Sequence, residues 1–178
     1  MPINFNNKAS AQPARKPMIW NQRGDTMIEV LVTIIIIAVG VLGTAALQVT
    51  TLKNLSSSHS ASVAAIVAQD FAERMRANPV AALAGNYDHS VAPTTTTDCV
   101  GSPCADVADL AAYDIETWWA QLTAVLPSGS GEVKPLTPGS NIFELTVRWD
   151  EDRSGSVGVA CPKASAADLE CFRLNITI

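Results

Sequence analysis

The sequence predicts an α+β fold in which one long N-terminal helix packs on a small antiparallel β-sheet. Three observations support this prediction. An uncharged apolar run covers residues 30–47, an apolar stripe at helical spacing continues to residue 75, and two C-terminal segments alternate apolar and polar residues as strands do. The 178 residues suffice for one domain of ordinary size plus an extension.

Residues 1–24 differ in charge from the rest of the chain. They contain Lys8, Arg15, Lys16 and Arg23 and no acidic residue, whereas the other 154 residues carry 8 basic and 17 acidic side chains. They also lack the apolar stretch and the A-x-A pattern of a secretory signal peptide. We expect a polar, disordered leader here. The acidic remainder offers no basic patch for phosphate, so nucleic acid is not an expected partner.

The apolar run Val30–Leu47 is predicted to cross a membrane. Its 18 uncharged residues would extend about 27 Å as a helix, close to the ~30 Å of a hydrocarbon core. The four isoleucines Ile34–Ile37 face all directions around a helix, which favours lipid over the alternative of a buried helix in a soluble domain. We place the transmembrane helix at residues 25–48 of an inner-membrane protein. The basic flank indicates a cytoplasmic leader and a periplasmic C-terminal part.

The helical pattern continues beyond the membrane segment, through residues 49–78. Pro79 ends it, because proline disfavours helical geometry at Asn78 and has no N–H to donate. One helix is therefore predicted from Thr26 to Ala77. Its second half is amphipathic, with an apolar stripe that needs a partner domain to cover it. The predicted stripe consists of Leu52, Leu55, His59, Val63, Ile66, Phe71 and Met75.

Residues 79–178 are predicted to form a globular domain. Residues 84–106 are rich in Gly, Pro, Thr, Asp and Asn and indicate a loop. A second helix is predicted over residues 107–126, and Pro127 with the polar residues after it ends that helix. The side chains expected to face inward from it are Ala111, Ile115, Trp118 or Trp119, Leu122 and Leu126.

Three antiparallel strands are predicted to follow this helix: Asn141–Trp149, a weaker strand at Val157–Cys161, and Glu170–Ile178. The first and last alternate strictly, so each should have one buried and one solvated face. In the first strand, the residues expected inside are Phe143, Leu145, Val147 and Trp149, and those expected in water are Glu144, Thr146 and Arg148. In the last, Phe172, Leu174, Ile176 and Ile178 are expected inside.

Four cysteines, Cys99, Cys104, Cys161 and Cys171, all lie beyond the apolar run. Their spacing lacks the paired C-x2-C of a zinc site, and no histidine lies near them, so no metal is assigned. An even number of cysteines outside the cytoplasm favours disulfides over four reduced, buried thiols. Three pairings are possible, and we favour the nearest-neighbour one, Cys99–Cys104 and Cys161–Cys171.

A single carboxylate stands at the cytoplasmic end of the apolar helix. Glu29 follows only Met27 and Ile28 within that helix, and a charge inside hydrocarbon costs about 2.5–3.5 kcal/mol on insertion scales. The helix dipole offsets part of this cost near an N-terminus. Such a residue indicates a functional role or a shallow position near the interface.

The segment Arg23–Val32 resembles the cleavage and methylation site of type IV prepilins. The resemblance implies that a prepilin peptidase cuts between Gly24 and Asp25 and methylates the new amine of Asp25. It also implies that Glu29, five residues beyond the cut, attracts the N-terminal amine of a neighbouring subunit, since paired charges out of water cost less than lone ones. The sequence departs from the family at Asp25, where an apolar residue is usual.

Further segments narrow the resemblance to the PilV-type minor pilins. They are Gly40–Gln48, Phe71–Pro79 and the strand end Val147–Asp150. The resemblance implies a low-abundance subunit that helps to initiate assembly of a type IV pilus, or fimbrium, and acts in adhesion or motility. Its expected partners are the prepilin peptidase, the inner membrane, and other minor and major pilins. The mature protein is then expected at the cell surface.

Two other functions are the alternatives: a minor pseudopilin of a type II secretion system, which shares the cleavage motif, and a single-pass membrane enzyme. The sequence contains no nucleophile, base or metal set, so we predict no enzymatic activity and no cofactor. The segment Asp150–Gly155 begins like a calcium loop, but Cys161 stands where the bidentate glutamate belongs, which favours a solvated turn. Glu73, Arg74 and Arg76 are interpreted as a contact for another subunit or as a solvated helix end.

Overall fold

The computed structural model describes residues 26–178. The chain divides into two compact units, one up to Leu47 and one from Gln48 to Ile178. The fold is the predicted α+β fold, a long N-terminal helix and a three-stranded antiparallel sheet. Its elements are helices α1 (Thr26–Ala77), α2 (Pro79–Leu83) and α3 (Val107–Val125) and strands β1 (Ser130–Pro135), β2 (Ile142–Trp149) and β3 (Glu170–Thr177).

Helix α1 begins and ends at the predicted residues, Thr26 and Ala77. Asn78 leaves the helical conformation, with φ −127° and ψ 62°, as the following proline requires. Pro79 then opens the short helix α2, a position where its missing N–H and fixed φ are compatible with helix. Helix α2 was not predicted, because five residues carry too little periodicity.

The predicted stripe on the second half of α1 is partly wrong. Leu52, Leu55 and Ile66 are exposed. The face that packs into the core is built largely from alanine, a residue that contributes little to an apolar pattern but allows a helix to approach a sheet closely. Its fully buried members are Ala64, Ala68, Phe71, Ala72 and Met75.

The sheet has the order β1–β2–β3, with both neighbouring pairs antiparallel. Strand β2 is central, and its Leu145 lies opposite Val133 of β1 and Leu174 of β3. Strands β2 and β3 lie at the predicted positions. Their apolar side chains pack with those of α1 and α3, because period-2 alternation puts them on one face of the sheet.

The third strand is not where the sequence predicted it. Residues 157–161 form only an isolated bridge between Gly158 and Asp168, and the Val157 side chain is 83% exposed. The third strand is β1, which begins among the polar residues that were predicted only to end the second helix. A strand whose inward positions are Gly131 and Val133 gives a weak signal, since glycine has no side chain to mark the buried face.

The prediction that one face of β2 is solvated is also wrong. Glu144, Thr146 and Arg148 are buried. Charged side chains of the flanking strands cover this face, and the loop after β2 contributes the Val159 carbonyl, which accepts a 3.0 Å hydrogen bond from Arg148 Nε. Alternation in the sequence shows which face of a strand is polar. Whether that face is buried depends on which side chains and loops pack over it.

Helix α3 directs Trp118 rather than Trp119 into the core, together with the other residues predicted to face inward. The Trp118 ring stacks on Phe71 of α1, with centroids 4.2 Å apart. Trp118 also covers Gly131, where a Cβ atom would overlap the indole ring. These contacts join α1, α3 and β1 in one hydrophobic core.

Candidate functional site

Glu29 lies in the first turn of α1 and is exposed. The helix begins only three residues earlier, and the dipole at a helix N-terminus favours a negative charge there. None of the ion pairs among residues 26–178 includes Glu29. Gly24 and Asp25, the predicted cleavage and methylation positions, lie outside the described residues.

The helix around Glu29 presents an apolar surface in every direction. All residues from Thr26 to Leu47 are exposed, including the four isoleucines Ile34–Ile37. By length and composition, α1 is able to cross a membrane. Among the residues described, it is the one helix with this property. A carboxylate on a surface of this kind is expensive in lipid unless it is paired or close to the interface.

Two disulfides hold the loops of the C-terminal unit. Cys99 is bonded to Cys104, with Cα atoms 5.0 Å apart, and Cys161 to Cys171, with Cα atoms 5.9 Å apart. This is the nearest-neighbour pairing. The second disulfide joins the loop after β2 to strand β3, where Lys163 also pairs with Glu170 at 2.9 Å.

Two family models match the chain over adjoining segments. The model described as Prokaryotic N-terminal methylation motif matches residues 21–45. The model described as Type IV pilin Tt1218 matches residues 46–116. These matches support the type IV pilin family. No curated protein and no solved structure matched the chain.

The match to the methylation motif includes the positions that the sequence singled out. Gly24, Asp25 and Glu29 all lie between residues 21 and 45. The pilin match covers the second half of α1, the loop with the first disulfide, and half of α3. Processing by a prepilin peptidase and assembly as a pilin subunit are thereby supported. The roles of the individual residues stay predictions.

A buried polar cluster, which the sequence did not reveal, joins the end of α1, the loop after α2 and helix α3. The Tyr87 hydroxyl donates a 2.6 Å hydrogen bond to Asp114 Oδ2, and Arg74 Nη1 lies 3.4 Å from Asp114 Oδ1. The Asn78 amide donates to the Val107 carbonyl at 2.8 Å. Burial, reinforced by the hydrogen bond to Asp114 and its charge, raises the pKa of Tyr87 well above its ordinary value. Tyr87 therefore remains a neutral donor.

The end of α1 carries two further ion pairs. Arg74 Nε lies 2.9 Å from Asp70 Oδ2, and Arg76 Nη1 lies 2.6 Å from Glu73 Oε1. Glu73 and Arg76 are exposed, whereas Arg74 also reaches the buried Asp114. The triplet interpreted as a subunit contact or as a solvated helix end is thus divided, since Arg74 contacts Asp114 of α3 while Glu73 and Arg76 face solvent.

A network of charges covers the outer face of the sheet. Arg148 Nη2 lies 2.6 Å from Glu132 Oε2, and Lys134 lies 3.4 Å from Glu132 and 3.3 Å from Glu144. Arg173 adds a contact of 3.4 Å to Glu144. Partial burial acts to raise the pKa of Glu132. The hydrogen bond and charge of Arg148, together with Lys134, outweigh this effect and lower the pKa of Glu132.

The calcium-like segment forms a turn closed by its own carboxylate. Asp150 Oδ1 accepts hydrogen bonds from the Ser154 backbone and hydroxyl, both at 3.2 Å, and Oδ2 accepts one from the Gly155 backbone at 2.8 Å. Despite an opposing contribution from desolvation, these bonds lower the pKa of Asp150. Residues 26–178 contain no cluster of three or more metal-ligating side chains.

Proposed function

We propose that this chain is a minor pilin of the PilV type. A prepilin peptidase cuts it between Gly24 and Asp25 and methylates the new amine, and the mature subunit takes part in initiating assembly of a type IV pilus. The observation that carries the proposal is the exposed Glu29 in the first turn of α1, whose following residues 30–47 are all exposed and uncharged. The match to the methylation motif over residues 21–45 supports it.

Glu29 is proposed to bind the N-terminal amine of a neighbouring subunit. A lone carboxylate in hydrocarbon costs about 2.5–3.5 kcal/mol, and a cation placed beside it offsets this cost more strongly than it would in water. The amine produced by cleavage is such a cation and lies at the same end of its own helix. Methylation leaves it positively charged, so it remains able to pair.

The proposed topology is a cytoplasmic leader, an inner-membrane helix and a periplasmic domain. The four basic residues of the leader favour the cytoplasmic side. Both disulfides lie in the unit after Leu47, which suits an oxidising compartment. Extraction into the filament would replace lipid around the apolar half of α1 by the helices of other pilins.

Replacing Glu29 with alanine tests the proposed pairing. The Glu29→Ala chain should be inserted in the membrane at normal levels but recovered from sheared pili at a level lower by about a hundredfold, the factor that corresponds to ~2.7 kcal/mol. Glu29→Gln should be depleted from pili to a similar extent, because glutamine preserves the shape of the side chain and removes its charge. The matched control is Asp109→Ala, an exposed acid of α3. Normal incorporation of both Glu29 variants would refute the mechanism.

Processing is tested by the intact mass and N-terminal sequence of the protein from native membranes. The expected mature chain begins at Asp25 with one added methyl group. A chain that keeps residues 1–24 in cells with an active prepilin peptidase would contradict the proposal. A mature chain that begins at Asp25 without the methyl group would support the proposed cleavage and contradict the proposed methylation.

A deletion strain distinguishes the pilus from the secretion system. Loss or reduction of surface pili with normal protein secretion supports the minor pilin. Normal pili with impaired secretion would instead identify a pseudopilin. Mass spectrometry of proteins that co-purify with the chain then identifies its partner pilins.

A further inference from the structure

The two outer edges of the sheet differ in how their backbone groups are used. At the β1 edge, Val133 N–H donates to the His89 carbonyl at 2.7 Å, and His89 N–H donates to the Val133 carbonyl at 3.0 Å. The loop after α2 thus covers the middle of β1. Strand β3 has no such cover within residues 26–178, since no neighbouring strand lies beyond it.

The register identifies which groups of β3 are unused. Ile178 N–H donates to the Asn141 carbonyl at 2.9 Å, so the even-numbered residues of β3 direct their N–H and C=O groups to β2. Arg173, Asn175 and Thr177 direct theirs to the open edge. No backbone hydrogen bond involves these outward groups in the described part of the chain. The edge is therefore a row of unpaired donors and acceptors.

A groove runs beside this open edge, between β3 and the last turns of α1. Its volume is about 520 Å³, and Ile66, Ala72 and Leu174 contribute apolar surface to it. Ile66 is 65% exposed. The α1 wall carries Asp70 and Glu73, which are paired with Arg74 at 2.9 Å and with Arg76 at 2.6 Å, so its charges are balanced.

We propose that the open edge of β3 binds an extended segment of a neighbouring pilin subunit as a fourth strand. This inference rests on the proposed function, because the occupant is another subunit of the same filament. Backbone pairing with residues 173–177 would hold the segment, as strand addition does at other sheet edges. Small apolar side chains of the segment would fill the groove over Ile66 and Leu174.

The composition of β3 supports strand addition. Natural sheets protect open edges with proline, bulges, very short strands or lysine, and β3 has eight paired residues and none of these features. Its one basic residue, Arg173, is directed elsewhere, since it lies 3.4 Å from Glu144 and donates to the Cys161 carbonyl. Among residues 26–178, the β3 edge is thus left open, whereas the opposite edge of the sheet is covered.

Replacing Asn175 with proline tests the edge directly. Asn175 N–H faces outward, so proline leaves the β2–β3 ladder intact while removing a donor and adding bulk at the docking position. Recovery of Asn175→Pro in pili should fall about tenfold or more, the effect of losing at least ~1.4 kcal/mol. The matched control, Asn175→Ala, retains the N–H and should be incorporated like the wild type.

Hydrogen exchange of the unaltered protein tests the proposal without any substitution. The amides of Arg173, Asn175 and Thr177 should exchange rapidly in the detergent-solubilised full chain and slowly in its complex with co-purified pilins. The amides of residues 172, 174 and 176 should be protected in both samples. Rapid exchange of the outward amides in the complex, or normal incorporation of Asn175→Pro, would overturn the proposal. A wild-type chain absent from pili would instead refute the minor-pilin function.

Discussion

Asp114 is the centre of the buried cluster that joins α1, α3 and the loop after α2, and its removal should destabilise the C-terminal unit. The side chain is only 9% exposed and accepts hydrogen bonds from Tyr87 and Arg74. In Asp114→Ala, the Tyr87 hydroxyl stays buried and still accepts from the Asn78 amide at 3.4 Å, but it loses the short 2.6 Å acceptor for its own proton.

The expected loss follows from these two contacts. A buried hydroxyl left without its acceptor costs about 1–3 kcal/mol. The Arg74 contact is longer, at 3.4 Å, and Arg74 is partly solvated and keeps Asp70, so it adds at most about 1 kcal/mol. The free energy of unfolding should fall by about 1–4 kcal/mol. At roughly 4 °C per kcal/mol, Tm should fall by about 4–16 °C.

Thermal unfolding of the full-length protein in detergent, followed by near-UV circular dichroism, measures this change. Trp118 stacks on Phe71 next to Tyr87, so its signal reports on the affected region. Asp114→Asn retains an acceptor oxygen and should lose less stability. Asp109→Ala, on the exposed side of the same helix, should melt within about 2 °C of the wild type. An equally small effect of Asp114→Ala would refute the assigned role of the cluster.

Three further substitutions test the core and the charged face. Gly131→Ala should lower the free energy of unfolding by about 1–3 kcal/mol in urea titrations, because the new Cβ atom overlaps the Trp118 ring. Phe71→Ala should cost about 3–5 kcal/mol in the same assay, since it opens a cavity in a fully buried site. Glu132→Gln should be less stable than the wild type at pH 7, because it loses its charge pair with Arg148. This difference should shrink on acidification. The folded-state pKa of Glu132 is depressed, so its stabilisation is present above the unfolded value near 4.5 and is lost as pH falls through the folded value.

These outcomes separate the structural explanations. Wild-type stability of Gly131→Ala would mean that β1 does not lie under Trp118. A stability difference for Glu132→Gln that stays constant from pH 7 down to about pH 3 would exclude the lowered pKa of Glu132 as its cause.

The sequence by itself determined the elements that depend on local periodicity. The limits of α1 follow from a continuous helical pattern and from Pro79, and the limits of β2 and β3 follow from strict alternation. The N-terminal motif with Glu29 was also recognisable, because its residues are contiguous. Local patterns of this kind do not depend on which distant segment packs against them.

Only the tertiary structure decided which residues are buried and which edge stays open. Asp114 is buried because Arg74, 40 positions away, and Tyr87, 27 positions away, supply its partners. Glu144 is covered by Lys134 and Arg173 on the flanking strands. The sequence shows which residues are polar. A polar group can be buried without a large cost, however, only when partners from distant parts of the chain complete its hydrogen bonds. For that reason, the charged face of the sheet, strand β1 and the open edge of β3 could be identified only in the folded chain.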